Sequence, residues 1–310
     1  MTKVGFVGLG TMGAGFANNV AKAGFELTVH DLHRQLADRF IQAGATWAPT
    51  PKALAERSDV ILTSLPGPPE VAAVVLDATD GLAAGMQPGA AIFDLSTNSP
   101  SKVRELHAAL TATGLHFLDA PVSGGPAGAA SGKCAIWVGG DKAVFDRHRG
   151  VLDAMGDQVR YIGEIGAGSI AKLTHNAAGY AMQCAFAEVM SVGVKAGVEP
   201  LSLWRAIRQG ARGRARSFDF MAAQFMVDQY DPPAFQLKLA HKDVALAAEL
   251  GREMGVPMRF VNLALAELTE AMARGWDGRD SRVAMKLQLE RAGVEVKCDP
   301  AQVRAAIEQE

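Results

Sequence analysis

A short apolar run, Lys3-Val4-Gly5-Phe6-Val7, opens directly into Gly8-Leu9-Gly10-Thr11-Met12-Gly13, and a second apolar run, Glu26 to His30, ends at Asp31. Between them Thr11 to Ala23 reads as a helix that Gly24 stops. Few folds accept glycines at this spacing between a strand and a helix. Gly8 permits a tight turn, Gly10 lets the backbone approach a pyrophosphate without a Cβ in the way, and Gly13 lets the helix pack close to the strand. Asp31 stands at about the 20-residue spacing expected of an acid that binds a ribose hydroxyl. The segment is therefore expected to hold a dinucleotide phosphate on the free N–H groups of a helix N-terminus. Asp31 favours NAD, since it would repel a 2′-phosphate, and Arg34 is the counterweight that leaves NADP open.

With 310 residues, 49% of them hydrophobic, the chain can build two domains at about 100–200 residues each. A net charge of −2 gives no reason to expect nucleic acid or an anionic membrane as partner, which directs attention to a small molecule. Cys134, Cys184 and Cys298 are far apart, odd in number and without C-x-x-C spacing, so no disulfide framework or zinc site is expected and a reducing cytoplasm is. Lys3 precedes an apolar stretch as in a secretory leader, but five of the eleven residues from Gly5 to Gly15 are glycine, which suits a phosphate loop better. Asn176 to Val198 is apolar yet interrupted by Glu188 and Lys195, and it reads as a buried helix between domains.

Beyond Asp31 strands and helices alternate. Helices are expected from about His33 to Gln42, after Pro51 and near Lys102 to Ala112, and strands over Asp59 to Leu65, Ala90 to Asp94, Leu115 to Asp119, Cys134 to Val138 and Gln158 to Ile162. This spacing specifies a parallel, doubly wound α/β sheet with ligands at the strand C-termini. After Gly163 the texture becomes helix upon helix, with a very long helix from Gly166 to about Ala196 and with Pro200 and Pro257 placed to open others. Two domains follow: 1–163, dinucleotide-binding, and 164–310, all-helical.

Chemistry concentrates in two places. Lys172 and Asn176 are four apart and stack on one helix face, where partial burial suits the amine to acid–base work and Asn176 to holding an oxygen. A surface lysine on an amphipathic helix is the competing reading. The second place is Ser123-Gly124-Gly125 after a strand end, where a hydroxyl and backbone N–H groups suit a carboxylate. A plain flexible turn competes with it.

The glycine fingerprint with Met12, Leu65-Pro66, Ser96-Thr97, the run Asp119 to Gly125, Gly166-Ala-Gly168 with Lys172 and Asn176, and Lys242-Asp243 with Leu246-Ala247 together resemble the β-hydroxyacid dehydrogenases, which include 3-hydroxyisobutyrate dehydrogenase. The resemblance runs from about residue 3 to 291. It implies a Rossmann-type domain, a long interdomain helix and an all-α domain, commonly assembled as a homodimer or homotetramer. By the same resemblance Lys172 is the general acid–base and Ser123, Gly124, Gly125 and Asn176 line the substrate site. Leu65, Pro66, Thr97 and Lys242 join Gly8, Leu9, Gly10, Thr11, Met12, Gly13 and Asp31 in holding NAD or NADP. The implied reaction interconverts a small β-hydroxyacid and its semialdehyde or keto acid.

Departures are also visible. His175 stands where the family usually has asparagine and reads as a hydrogen-bonded structural imidazole, and Pro126-Ala127 and Lys133-Cys134 differ from the commonest loop. Arg208, Arg212, Arg214 and Arg216 read as a solvated basic loop, one arginine of which could reach an anionic group of the substrate. His241 has no metal-like partner spacing, and no metal is expected. Two readings compete: an imine reductase-like enzyme, which typically lacks the lysine, and a non-catalytic dinucleotide-binding protein, in which the lysine or the Ser-Gly-Gly turn would be missing.

Overall fold

In the computed structural model, which describes residues 2–210, 213, 219–255 and 257–308, the chain divides into two units, Met1–Thr174 and His175–Glu310. The first carries β1 (Lys3–Val7), α1 (Gly13–Lys22), β2 (Glu26–His30), α2 (Asp38–Gln42), β3 (Thr46–Trp47), α3 (Pro51–Ala55), β4 (Val60–Thr63), α4 (Pro68–Leu76) and α5 (Leu82–Gly85). It continues through β5 (Ala91–Asp94), α6 (Pro100–Thr111), β6 (His116–Asp119), β7 (Val122–Ser123), α7 (Gly125–Ser131), β8 (Ala135–Gly139), α8 (Lys142–Asp153) and β9 (Gln158–Gly163). The 29-residue α9 (Ala167–Lys195) begins in the first unit and ends in the second. Thereafter come α10 (Pro200–Gln209), α11 (Leu237–Glu253), α12 (Arg259–Ala273), α13 (Met285–Ala292) and α14 (Pro300–Glu308).

One sheet organises the first unit, in the order β3-β2-β1-β4-β5-β6-β8-β7 with β9 beside β8. From β3 to β6 every pairing is parallel, and alternate side chains feed two cores, one with Phe6, Phe16, Leu62 and Phe93, the other with Val7, Ile61, Ile92 and Phe117. The parallel order is interrupted at one end: β8 runs antiparallel to β6 and β7 and parallel to β9. The reason is a tight return. After β6 only Ala120 and Pro121 precede β7, and the seven-residue α7 leads into β8, too little chain for a crossover back to the start of the sheet.

Helix starts follow sequence rules. Thr50, Ser99, Asp141 and Glu199 each accept a first-turn N–H at the head of α3, α6, α8 and α10, three of them followed by proline. Two expectations shift. The stretch from His33 to Gln42 is a 3₁₀ turn, Arg34–Ala37, running into the short α2, and Pro257 lies two residues ahead of α12 instead of opening it. By internal contacts the two units part inside α9, after Thr174, and Asp119 of β6 binds the N–H groups of Gly166 and Ser169, which ties the first turns of the helix to the sheet. The second unit packs Phe186 and Met190 of α9, Trp204 of α10, Phe225, Met226 and Leu289 into one core. No helix among the described residues is long and apolar enough to cross a membrane.

Candidate active site

The glycine turn after β1 leaves its outer side open. Gly8 has φ +94°, and a Cβ there would stand 2.3 Å from the Ser64 carbonyl oxygen at the end of β4. A Cβ on Gly13 would come within 1.9 Å of the Gly8 carbonyl oxygen, whereas one on Gly10 would meet no atom within 4 Å. The turn is thus closed on the protein side and free where a pyrophosphate would lie, with Gly10 and Thr11 exposed, Met12 half-buried and Leu9 buried. These residues fit a dinucleotide phosphate. Asp31 is built into the same turn: its Oδ2 accepts the Leu9 N–H at 2.7 Å and its Oδ1 the His33 N–H at 2.8 Å. Arg34 is turned to Asp38, with which it pairs, and lies 4.7 Å over the Trp47 ring.

Across the strand C-termini Asp94 is fully buried at the end of β5. It accepts from Thr63 Oγ1 at 2.8 Å, from the Ser96 N–H at 3.1 Å and from Asn98 Nδ2 at 3.0 Å, while Ser96 Oγ accepts the Leu65 N–H at 2.9 Å. Burial pushes the Asp94 carboxyl above its ordinary pKa and the three donors pull it back. This network fastens the Leu65-Pro66 and Ser96-Thr97 segments together, with Leu65 and Thr97 half-buried and Pro66 exposed.

Ser123 ends β7 and pairs with Ala135 of β8, which leaves Gly124 and Gly125 exposed at the head of α7. Gly124 (φ +151°) and Gly125 (φ +61°) adopt backbone that side chains resist. A Cβ on Gly124 would stand 2.7 Å from the Cys134 sulfur. That buried thiol is pushed up to about 11, first by desolvation and then by Asp157, against which the Lys172 charge acts. Lys172 is half-buried on α9. Helix α7 also packs on the fingerprint helix: Asn19 Nδ2 donates to the Ala129 carbonyl at 2.8 Å, and Gly15 has no room for a Cβ against the same residue.

In the second unit Asn176 donates to Asp243 Oδ2 at 2.6 Å, and Lys242 Nζ lies 3.1 Å from Asp243 Oδ1. Asp243 is buried and serves both residues. His175 is exposed. The basic cluster is corrected at Arg208, which is buried and bonds Asp219 at 2.9 Å and the Ala306 and Ile307 carbonyls at the end of α14. A guanidinium that closes helix carbonyls has a structural task. Arg212, Arg214 and Arg216 lie outside the described residues.

Sequence reasoning assigned no role to Asp94, Asp119 or Asp243. All three are buried, and each accepts from a donor distant in the chain. For Asp94 and Asp119 the available signal was a carboxylate closing an apolar strand, where burial requires internal donors.

Residues 3–163 match the family model described as the NAD binding domain of 6-phosphogluconate dehydrogenase, and residues 166–287 match that described as NAD-binding of NADP-dependent 3-hydroxyisobutyrate dehydrogenase. The chain is 34% identical over 302 residues to the NAD-dependent L-serine dehydrogenase of Pseudomonas aeruginosa, covering 93% of this chain and 98% of that protein. Among solved structures it is similar to 3-hydroxyisobutyrate dehydrogenase from Salmonella typhimurium, with TM-score 0.81, 32% identity and coverage of 93% and 100% of the two chains. It is also similar to the Mycobacterium tuberculosis 3-hydroxyisobutyrate dehydrogenase solved with L-serine, with TM-score 0.83, 28% identity and coverage of 93% and 99%.

Proposed function

The chain belongs to the β-hydroxyacid dehydrogenase family, and from that premise we propose that Lys172 is its general acid–base and the Ser123-Gly124-Gly125 turn its carboxylate grip. The protein is an NAD(P)-dependent oxidoreductase acting on the hydroxyl group of a small β-hydroxyacid. Residues Gly8 to Gly13 and Asp31 would hold the dinucleotide, with Leu65, Pro66, Thr97 and Lys242. When bound, its nicotinamide supplies the hydride acceptor or donor. The chain's own residues manage the rest: in oxidation Lys172 Nζ takes the hydroxyl proton, and in reduction protonated Lys172 returns it to the forming alkoxide. Ser123 Oγ and the exposed N–H groups after it orient the carboxylate, and Asn176, held by Asp243, is assigned to the substrate on the next turn of α9.

The observation that carries this reading is that Asp119, whose own chain runs on into Ser123-Gly124-Gly125, binds the Gly166 and Ser169 N–H groups at the start of the helix that bears Lys172. It supports an amine working beside the anion turn. Relatives named for L-serine and 3-hydroxyisobutyrate act on molecules that share a carboxylate and a hydroxymethyl group on the adjacent carbon, and a substrate of that form is proposed here. A cytoplasmic homodimer or homotetramer completes the reading, supported by the unbridged Cys134 and Cys298 and by Phe260 and Leu263, 78% and 64% exposed on α12.

Lys172→Ala is expected to lower turnover by about 10²–10⁴-fold while NAD affinity stays near that of the parent, and Lys172→Arg is expected not to restore it because a guanidinium keeps its proton. Steady-state kinetics with a β-hydroxyacid and with its methyl ester complete the test. Near-normal turnover by the alanine variant sinks the assignment of Lys172, and comparable efficiency on acid and ester sinks the carboxylate grip.

A further inference from the structure

Most proline-led helices in this protein carry their cap next door: Thr50, Ser99, Glu199 and Asp299 stand immediately before α3, α6, α10 and α14 and accept first-turn N–H groups. Helix α9, which bears Lys172, is preceded by Gly166 and has no capping side chain of its own. Its cap arrives from 47 residues upstream. Asp119 Oδ1 accepts the Gly166 N–H at 2.8 Å, and Oδ2 accepts the N–H of Ser169, the third helical residue, at 2.6 Å. Those are the two donors that a local capping box satisfies with two side chains, and here one carboxylate takes both.

The slot that admits this carboxylate is shaped by missing side chains. A Cβ on Gly139 would stand 2.5 Å from Asp119 Oδ1, and one on Gly168 would stand 2.2 Å from the Trp137 carbonyl oxygen and 3.1 Å from Asp119 Oδ2. Asp119 is 1% exposed and its backbone pairs with Gly139 of β8, so neither end of the link is loose. Its own chain then runs through Ala120, Pro121 and Val122 into Ser123-Gly124-Gly125. One residue thus anchors the helix that presents the amine and opens the segment that presents the anion turn.

We infer that Asp119 is a positioning residue: its bidentate hold on the Gly166 and Ser169 N–H groups sets the height and rotation of α9, and thereby where Lys172 Nζ stands relative to the Ser123-Gly124-Gly125 turn. This inference rests on the reading of Lys172 as the acid–base. Proton transfer in the transition state depends steeply on such placement, whereas the glycine turn Gly8 to Gly13 is carried by β1 and α1.

The test is Asp119→Asn, in which the amide keeps one acceptor and turns an NH₂ toward a backbone N–H. Turnover is expected to fall about tenfold or more with NAD dissociation constant and substrate KM little altered. The limb of the kcat–pH profile that vanishes in Lys172→Ala is expected to move by about half a pH unit or more. An unchanged kcat and an unmoved limb overturn the inference. So does loss of folded, NAD-binding protein in both Asp119→Asn and Asp119→Ser, since Asp119 would then serve the fold alone. The two failures separate: an active Lys172→Ala protein removes the lysine reading and this inference with it, while an inactive one beside an unaltered Asp119→Asn removes this inference only.

Discussion

Asp31 has two carboxylate oxygens, each engaged by a single backbone N–H, from Leu9 and from His33. A carboxylate offers about four acceptor positions, so capacity remains for two ribose hydroxyls, and none of that capacity suits a phosphate. Arg34, the side chain that could have neutralised a 2′-phosphate, is occupied by Asp38 and by the face of Trp47. NAD is therefore expected to be used with clearly higher kcat/KM than NADP, and Arg34→Ala is expected to change the ratio little. Steady-state kinetics with both cofactors checks this, and equal or better efficiency with NADP contradicts it.

Elements β4 and β5 are joined at their C-termini by a buried carboxylate, not by apolar packing alone. Three donors from two segments converge on Asp94, and the last of them, Asn98, lies just ahead of α6. Asp94→Asn puts an NH₂ against one of these donors, which leaves a buried group unpaired at a cost of about 1–3 kcal/mol. The Leu65-Pro66 and Ser96-Thr97 segments lose a shared anchor, so weaker NAD binding is expected together with lower stability. Thermal unfolding and NAD titration of the variant read the two effects, and parental values in both would show that the network is dispensable.

At the scale of the whole molecule one group links stability to pH in a definable direction. His148 of α8 is buried against Phe93, its Nε2 has no hydrogen-bond partner among the described residues, and its pKa is lowered first by desolvation and then by Arg147. The unfolded imidazole titrates near its ordinary value of 6.5, above the folded one, so between the two the unfolded chain binds more protons. Stability contributed by this group is full above pH 6.5 and is lost as pH falls below it toward the folded value. His148→Phe removes both the titration and the orphan nitrogen. Its melting temperature is expected to match or exceed the parent's at pH 8, by the equivalent of about 1 kcal/mol, and to fall less between pH 7 and pH 5. An equally steep fall in the variant would place the acid sensitivity elsewhere.

Much of this architecture was legible in the chain because its determinants are local. Gly8 is demanded by its own positive φ and Gly13 by the Gly8 carbonyl five residues back, apolar strands alternate with helices at a spacing that admits a parallel sheet, and caps such as Thr50 and Ser99 sit beside the helices they start. Lys172 and Asn176 share a face because helix periodicity alone puts them there. What tertiary structure decided is the set of pairings that no period encodes. A period-two pattern gives a strand's faces but not its direction, so the reversal of β8 was invisible. A polar residue in an apolar run announces that it needs a partner without naming it. Asp94, Asp119, Asp243 and Arg208 find theirs 31, 47, 67 and 98 residues away, where only the folded chain brings donor and acceptor to hydrogen-bonding distance.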